Sequence, residues 1–307
     1  MELWSQNSNL VSKQQWEERI DTLREESTKK CKKEEVKQAL INAVKQRIPQ
    51  HKYGIFLSGG VDSSLISVLA DKNAVYYTVG YESAIEARDV TASRMFVQKY
   101  NLSWRLTILT LTEVEKYVKQ AIHILTPVNL IDSVTIGIAV VIIAATEQAK
   151  KDRITTFFGG LGAEEIFAGY KRHLEVTDVN EECWRGLRTM WTRDLVRDAT
   201  LASALKIYVR TPFLDKQLIK AAMQIPGNRK IKDGQRKIIL REIAEEIGIP
   251  KEIAWRNKQA AQYGSGIDKA IAKLAKMNGY NDKGVYLRHM SKRFINHINQ
   301  IDPHERK

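Results

Sequence analysis

The sequence is poor in features that define several protein classes. Of its 307 residues only two are cysteine, Cys31 and Cys183. The first lies in a lysine-rich helical stretch and the second beside Trp184. Neither belongs to a Cys-x-x-Cys pair, which argues against a zinc site, an iron–sulfur cluster or a persulfide relay. No apolar run approaches the roughly 18 uncharged residues a membrane helix needs; the longest candidate, residues 136–145, gives way to Glu147 and Lys150. The opening residues, with Glu2, Trp4 and Gln6, lack the basic-then-apolar layout of a secretory signal. The expectation is a cytoplasmic protein with no membrane partner. Internal repeats and low-complexity linkers are also missing.

Acidic residues are in deficit, 36 against 49 lysines and arginines, for a formal net charge of +13. The basic residues cluster at Lys29, Lys30, Lys32 and Lys33, at Lys171 and Arg172, along Arg185, Arg188, Arg193 and Arg197, and from Arg229 through Lys230, Lys232, Arg236 and Lys237. Such a surface suits a polyanion. No RNA-binding signature or aromatic and basic platform accompanies it, so solubility and the needs of a local nucleotide site explain the charge better, with nucleic acid (tRNA) a less favoured partner.

What the sequence does have is a phosphate cradle. Ile55-Phe56-Leu57 reads as a short strand, Ser58-Gly59-Gly60-Val61-Asp62 as a tight turn, and Ser63-Ser64 as the opening of an apolar helix. Adjacent glycines let backbone approach an anion. The hydroxyls and the N–H groups of the helix start supply donors, and the helix dipole favours negative charge. Walker A loops carry Lys-Ser or Lys-Thr here; this loop carries Asp62, and an acid beside a polyphosphate calls for a magnesium ion between them. The loop resembles the Ser-Gly-Gly-x-Asp-Ser motif of the ATP pyrophosphatases, which cleave ATP between its α- and β-phosphates and pass AMP to an acceptor.

Around the cradle, residues 14–48 read as two charged helices. Strands then alternate with helices: strand 53–57, helix 63–71, strand 75–79, helix 85–100, strand 104–109, helices 112–125 and 134–149, and strand 154–158. This alternation predicts a doubly wound parallel α/β sheet, Rossmann-like and akin to the adenine-nucleotide α-hydrolases, with ligands at the carboxyl ends of its strands. Beyond Tyr170 strand signals nearly vanish, and helices broken at Pro212, Pro226, Gly248 and Gly264 follow. The predicted parts are a helical extension (1–34), an α/β domain (35–175) and a helical part completing the site (176–307).

A second loop, Gly159-Gly160-Leu161-Gly162-Ala163-Glu164-Glu165, also follows a strand. Paired acids at a helix start serve equally well as dipole complement or as metal ligands. Downstream stand Arg210-Thr211-Pro212-Phe213-Leu214-Asp215, then Lys237, Leu240-Arg241, Ile249-Pro250 and Arg256-Asn257-Lys258. These blocks, in this order, resemble the synthetase half of asparagine synthetases over roughly residues 35–275. The resemblance implies ATP and Mg2+ as cofactors. It puts pyrophosphate and metal on Ser58, Gly59, Gly60, Asp62, Ser63 and Ser64, and adenine against Leu57, Val79, Gly159 and Gly160. Glu164 would be the second metal ligand, where the family usually has aspartate. Lys258, with Arg256, would stabilise the transferring phosphate. Substrates would be a small-molecule carboxylate, aspartate by default, and ammonia or another amine.

Two departures qualify the resemblance. Asparagine-forming members begin with a glutaminase whose first mature residue is cysteine, whereas Glu2 stands here and the cradle begins at Ser58; the expectation is free ammonia, a separate glutaminase or another amine. Leu161 occupies the position of a family glutamate thought to handle the proton of ammonia. Ile131-Asp132-Ser133, the Gly-Ala-acid-Glu form of the second loop and Ala168-Gly169-Tyr170-Lys171-Arg172-His173 look closer to the divergent asparagine-synthetase-domain-containing proteins. The reading is an AMP-forming carbon–nitrogen ligase; the rivals are a tRNA- or other nucleic-acid-modifying pyrophosphatase and a non-catalytic ATP-binding protein.

Overall fold

The computed structural model describes residues 2–6, 9–257 and 259–300, the last four by backbone alone. Five parallel strands form the central sheet: β1 (Tyr53–Phe56), β2 (Ala74–Tyr81), β3 (Trp104–Leu109), β4 (Thr156–Phe158) and β5 (Tyr208–Arg210). Their order is β3-β2-β1-β4-β5. Alternating side chains feed two cores. Tyr53, Ile55, Tyr76 and Phe158 face one, against Trp16, Val36, Leu40 and Leu65. Val75, Tyr77, Val79 and Phe157 face the other, against Val114, Val118, Val140 and Ile143. A sheet covered on both faces needs near-continuous apolar strands, and β2 is buried over seven of its eight residues.

The first face is covered by α1 (Lys13–Glu25), α2 (Lys33–Lys45), α3 (Val61–Leu69) and α4 (Arg88–Tyr100), the second by α5 (Leu111–Leu125) and α6 (Ser133–Lys151). Caps fix where these helices begin. Thr110 and Glu113 form a capping box on α5, and Asp132 accepts from the N–H groups of Val134 and Thr135 on α6. Helix α6 is long and apolar enough to cross a bilayer, yet more than half of that apolar stretch is buried inside this fold.

The doubly wound sheet followed by helices is as predicted, with two differences. Helix α3 begins at Val61 with Gly60 as N-cap, so Val61 and Asp62 lie in its first turn and not in a loop. The sheet also gains β5 from the region that reads as helical. Three residues are too few for alternation to register, and Tyr208 is 61% exposed; the strand exists because Thr156, Phe157 and Phe158 pair with Tyr208, Val209 and Arg210. The N-terminal segment reaches this edge. The Glu2 carboxylate accepts from Arg47 Nε (3.1 and 3.3 Å), from the Thr211 N–H (3.3 Å) and from the Thr211 hydroxyl (2.8 Å). The Trp4 indole N–H donates to Thr211 Oγ1 at 2.8 Å.

Candidate active site

Strand order reverses between β1 and β4, and at such a switch point the loops diverge to leave a crevice. Both glycine loops leave the sheet there, the first from β1 and the second from β4. Gly59 has φ +63°, and a Cβ at that position would lie 2.6 Å from the Ala92 Cβ and 2.8 Å from its carbonyl carbon on α4. Only glycine fits both the conformation and the gap. The Ser63 hydroxyl accepts from the Ser58 N–H at 3.3 Å and donates to the Gly60 carbonyl at 3.1 Å, pinning the turn. Ser64 Oγ is buried without a partner, a donor left over where an oxyanion would be received. Leu57 follows β1 and Val79 lies within β2, at 3% and 4% exposure, and the Leu57 carbonyl accepts from the hydroxyls of Thr78 (2.8 Å) and Ser93 (3.2 Å).

The second loop meets the first at Gly160, where a Cβ would stand 3.2 Å from the Asp62 Cβ. Its acid Glu164, on the four-residue helix α7 (Ala163–Ile166), shares one cation with Asp62. Lys237 Nζ lies 2.8 and 2.9 Å from the two Asp62 oxygens and 2.8 Å from Glu164 Oε1. Burial opposes the lysine's charge, but the two carboxylates more than offset it and hold the pKa above the ordinary lysine value. Gly169 makes room: a Cβ there would sit 1.7 Å from Glu164 Oε2 and 2.3 Å from Lys237 Cε.

Glu165 is set apart from its neighbour. It is 1% exposed and accepts from the Tyr170 hydroxyl at 2.7 Å. Burial first, then the charge of Asp194, pushes its pKa up to about 7.

Arg256 grips the first loop from outside, donating from Nε to the Gly59 carbonyl (3.0 Å) and from Nη2 to the Ser58 carbonyl (2.8 Å) and Asp89 Oδ1 (2.9 Å). Arg241 in turn donates to the carbonyls of Ala254 (2.7 Å) and Arg256 (3.1 Å). Lys258, the expected catalytic lysine, lies outside the described residues. These contacts bring Ser58, Gly59, Gly60, Asp62, Ser63, Gly160, Glu164 and Arg256 together; Ser64 lies in the first turn of α3, Gly159 follows β4, and Leu57 and Val79 are buried in the two cores. The sequence marks Lys237 as a position of the last motif block but gives it no role; the fold supplies one by burying it against two acids.

Two carboxylates converging on a single ammonium make a site that a divalent cation fits. Magnesium commonly takes one or two carboxylates and completes its shell with water and substrate phosphates. Among the described residues no group of three or more His, Cys, Asp or Glu side chains gathers to hold a metal.

Comparison with known proteins agrees with this layout. The family model described as asparagine synthase matches residues 35–178 and 174–284. A provisionally named glutamine-hydrolyzing asparagine synthetase 1 of Methanocaldococcus jannaschii is 31% identical over 294 residues, covering 82% of this chain and 53% of its own length. Asparagine synthetase B (glutamine-hydrolyzing) of Escherichia coli is 27% identical, with 86% of this chain and 50% of the relative covered. The human asparagine synthetase (glutamine-hydrolyzing) is 28% identical, with 71% and 41% covered. The chain spans about half the length of the curated relatives it matches.

Proposed function

The chain belongs to the asparagine synthase family, and from that premise we propose that it is an ATP-dependent carbon–nitrogen ligase that activates a carboxylate as its adenylate and transfers the acyl group to ammonia or another amine. The observation that carries this reading is the convergence of Asp62 and Glu164, from the two glycine loops, on one buried cation at the switch point. Aspartate is the default acid by family membership.

In the first step an oxygen of the acid bonds to the α-phosphorus, and pyrophosphate leaves with the electron pair of the broken P–O bond. In the second the amine nitrogen bonds to the acyl carbon, the C–O bond to AMP breaks with its pair on the AMP oxygen, and one N–H proton is released. The α3 N-terminus and the Ser64 hydroxyl receive the phosphates, while the Ser63 hydroxyl pins the turn. Lys237 supplies positive charge that need not reorganise as the leaving group develops its own. Arg256 touches backbone carbonyls and one acid, so it positions the cradle and ties it to the segment leading to Lys258. Asp62 and Glu164 would hold Mg2+, which would supply charge to neutralise the leaving pyrophosphate.

The test is ATP–pyrophosphate exchange across a panel of carboxylates, with bulk tRNA as a parallel acceptor. Magnesium-dependent exchange that requires a small carboxylate is the expected result. AMP formation driven by tRNA and by no small acid would replace this reading with a nucleic-acid-modifying one.

A further inference from the structure

A cleft of about 500 Å³ lies outside the crevice, bounded by Glu2, Arg19, Arg47, Leu214, Asp215 and Lys216. Small-molecule sites commonly span about 300–1,000 Å³. No residue of either glycine loop lines this one.

Its acids are engaged and two of its cations are not. Glu2 accepts from Arg47 Nε at 3.1 Å and from Thr211, and Asp215 accepts from Arg47 Nη1 at 2.9 Å, from Gln46 at 2.7 Å and from the N–H groups of Gln217 and Leu218. Both acids are therefore held by the same arginine. Arg19 donates only to neutral oxygens, the Leu3 carbonyl and the Gln6 amide. Lys216 is exposed and joins no ion pair among the described residues. Three cations stand against two acids, so the wall holds a surplus of donors and of positive charge, which suits an anion with paired oxygens.

The cleft wall is joined to both ends of the second glycine loop. Thr211, which holds Glu2, follows Arg210, whose carbonyl accepts from the Gly159 N–H at 3.0 Å. Asp215 follows Leu214, which turns its buried side chain onto Gly162: a Cβ there would lie 2.5 Å from Leu214 Cδ2 and 3.2 Å from the Phe213 carbonyl carbon. Gly162 has φ +98° and caps α7, the helix that carries Glu164. Residues 210–215 are thus a strap with the cleft on one side and the loop of the metal-binding acid on the other.

We propose that this cleft is an effector site for a small organic anion, a phosphate monoester or a polycarboxylate, and that the strap couples its occupancy to the affinity of the crevice for magnesium ATP. Arg19 and Lys216 receive the anion, and a shift of the strap moves Gly162 and with it Glu164. Linkage makes the effect reciprocal. The proposal goes beyond the ligase reading and does not require it.

Glucose 6-phosphate and citrate are the probes, at constant ionic strength, against wild type and an Arg19→Gln, Lys216→Gln double variant whose substitutions lie outside the crevice. Without nucleotide or Mg2+, at least one probe should raise the melting temperature of wild type saturably, and neither should raise that of the variant. With free Mg2+ held constant, the same probe should shift the wild-type affinity for ATP by about fivefold or more in isothermal titration and leave the variant unchanged. No saturable rise with either probe, or a rise that the double variant keeps, would overturn the site. An equal rise with inorganic phosphate would mean an adventitious ion only and overturn it as well. Binding that leaves the affinity for ATP unchanged would overturn the coupling. If ATP does not bind at all, the cradle reading falls and the coupling with it, while the melting data still decide the site.

Discussion

Lys237 is where side-chain chemistry decides most. It has φ +60°, caps α8 (Ile238–Glu246), and its side chain is 5% exposed against a 4% exposed Asp62. A buried pair of this kind is a weak source of net stability but is costly to break, because the survivor keeps its charge without compensation. Lys237→Ala is expected to destabilise the protein by about 3 kcal/mol. Added Mg2+ should raise the melting temperature of that variant more than it raises that of wild type, since the carboxylates then have an open place for a cation. Thermal unfolding with and without Mg2+ reads this directly, and a variant indifferent to Mg2+ would remove Asp62 and Glu164 from metal binding. From sequence, Asp62 and Glu164 were legible as metal ligands because the resemblance implies that role; Lys237 was legible as a motif position, but its pairing with both acids was not, because that depends on tertiary burial.

At the level of elements, the strand–turn–helix around the cradle was readable because three local signals agree: apolar run, adjacent glycines, helix opening. The error of two residues in the start of α3 came from taking the hydroxyls as the first helical positions, when the Gly60 carbonyl already accepts from the Ser64 N–H at 2.9 Å. Strand β5 was not readable, since its pairing with β4 is non-local and three residues carry no periodicity. The packing of α4 over the cradle was equally hidden, although it is what makes Gly59 irreplaceable. Gly59→Ala is expected to cost about 2 kcal/mol or more through its left-handed backbone and the contact with Ala92. It should also weaken nucleotide binding out of proportion to that loss. Isothermal titration of ATP under conditions where the variant remains folded checks it, and wild-type affinity would show that the turn does not shape the site.

Across the whole molecule, two buried titratable groups pull stability in opposite directions. Glu165, with its pKa near 7 in the folded protein against 4.5 ordinarily, binds more protons folded than unfolded between those values, so its contribution falls as pH rises from 4.5 to 7. His173, lowered to about 4 from 6.5 mainly by burial, is neutral in the fold, and its contribution falls as pH drops from 6.5 towards 4. The two windows overlap, so the wild-type profile hides both. Glu165→Gln removes only the first. It should match wild type near pH 4.5 and exceed it at pH 8 by about 2–3 kcal/mol, while the Tyr170 hydroxyl keeps an acceptor. Denaturant titrations at the two pH values decide it; equal gains at both would mean that Glu165 is not protonated in the fold at low pH.

The late strand has a consequence in time. Synthesis delivers β1 to β4 well before β5, and until Tyr208–Arg210 emerges the β4 edge has no neighbour on that side. The gap from Phe158 to Tyr208 takes a ribosome on the order of several seconds. An open apolar edge is a template for wrong pairing during that interval. Glu2, the first described residue, waits longer still, over the 209 positions that separate it from Thr211. The nascent chain therefore carries an unfinished sheet, with Glu2 held by Arg47 but not yet by Thr211, and this is the stage at which a holding chaperone or a slowed codon run would most improve the yield of folded protein.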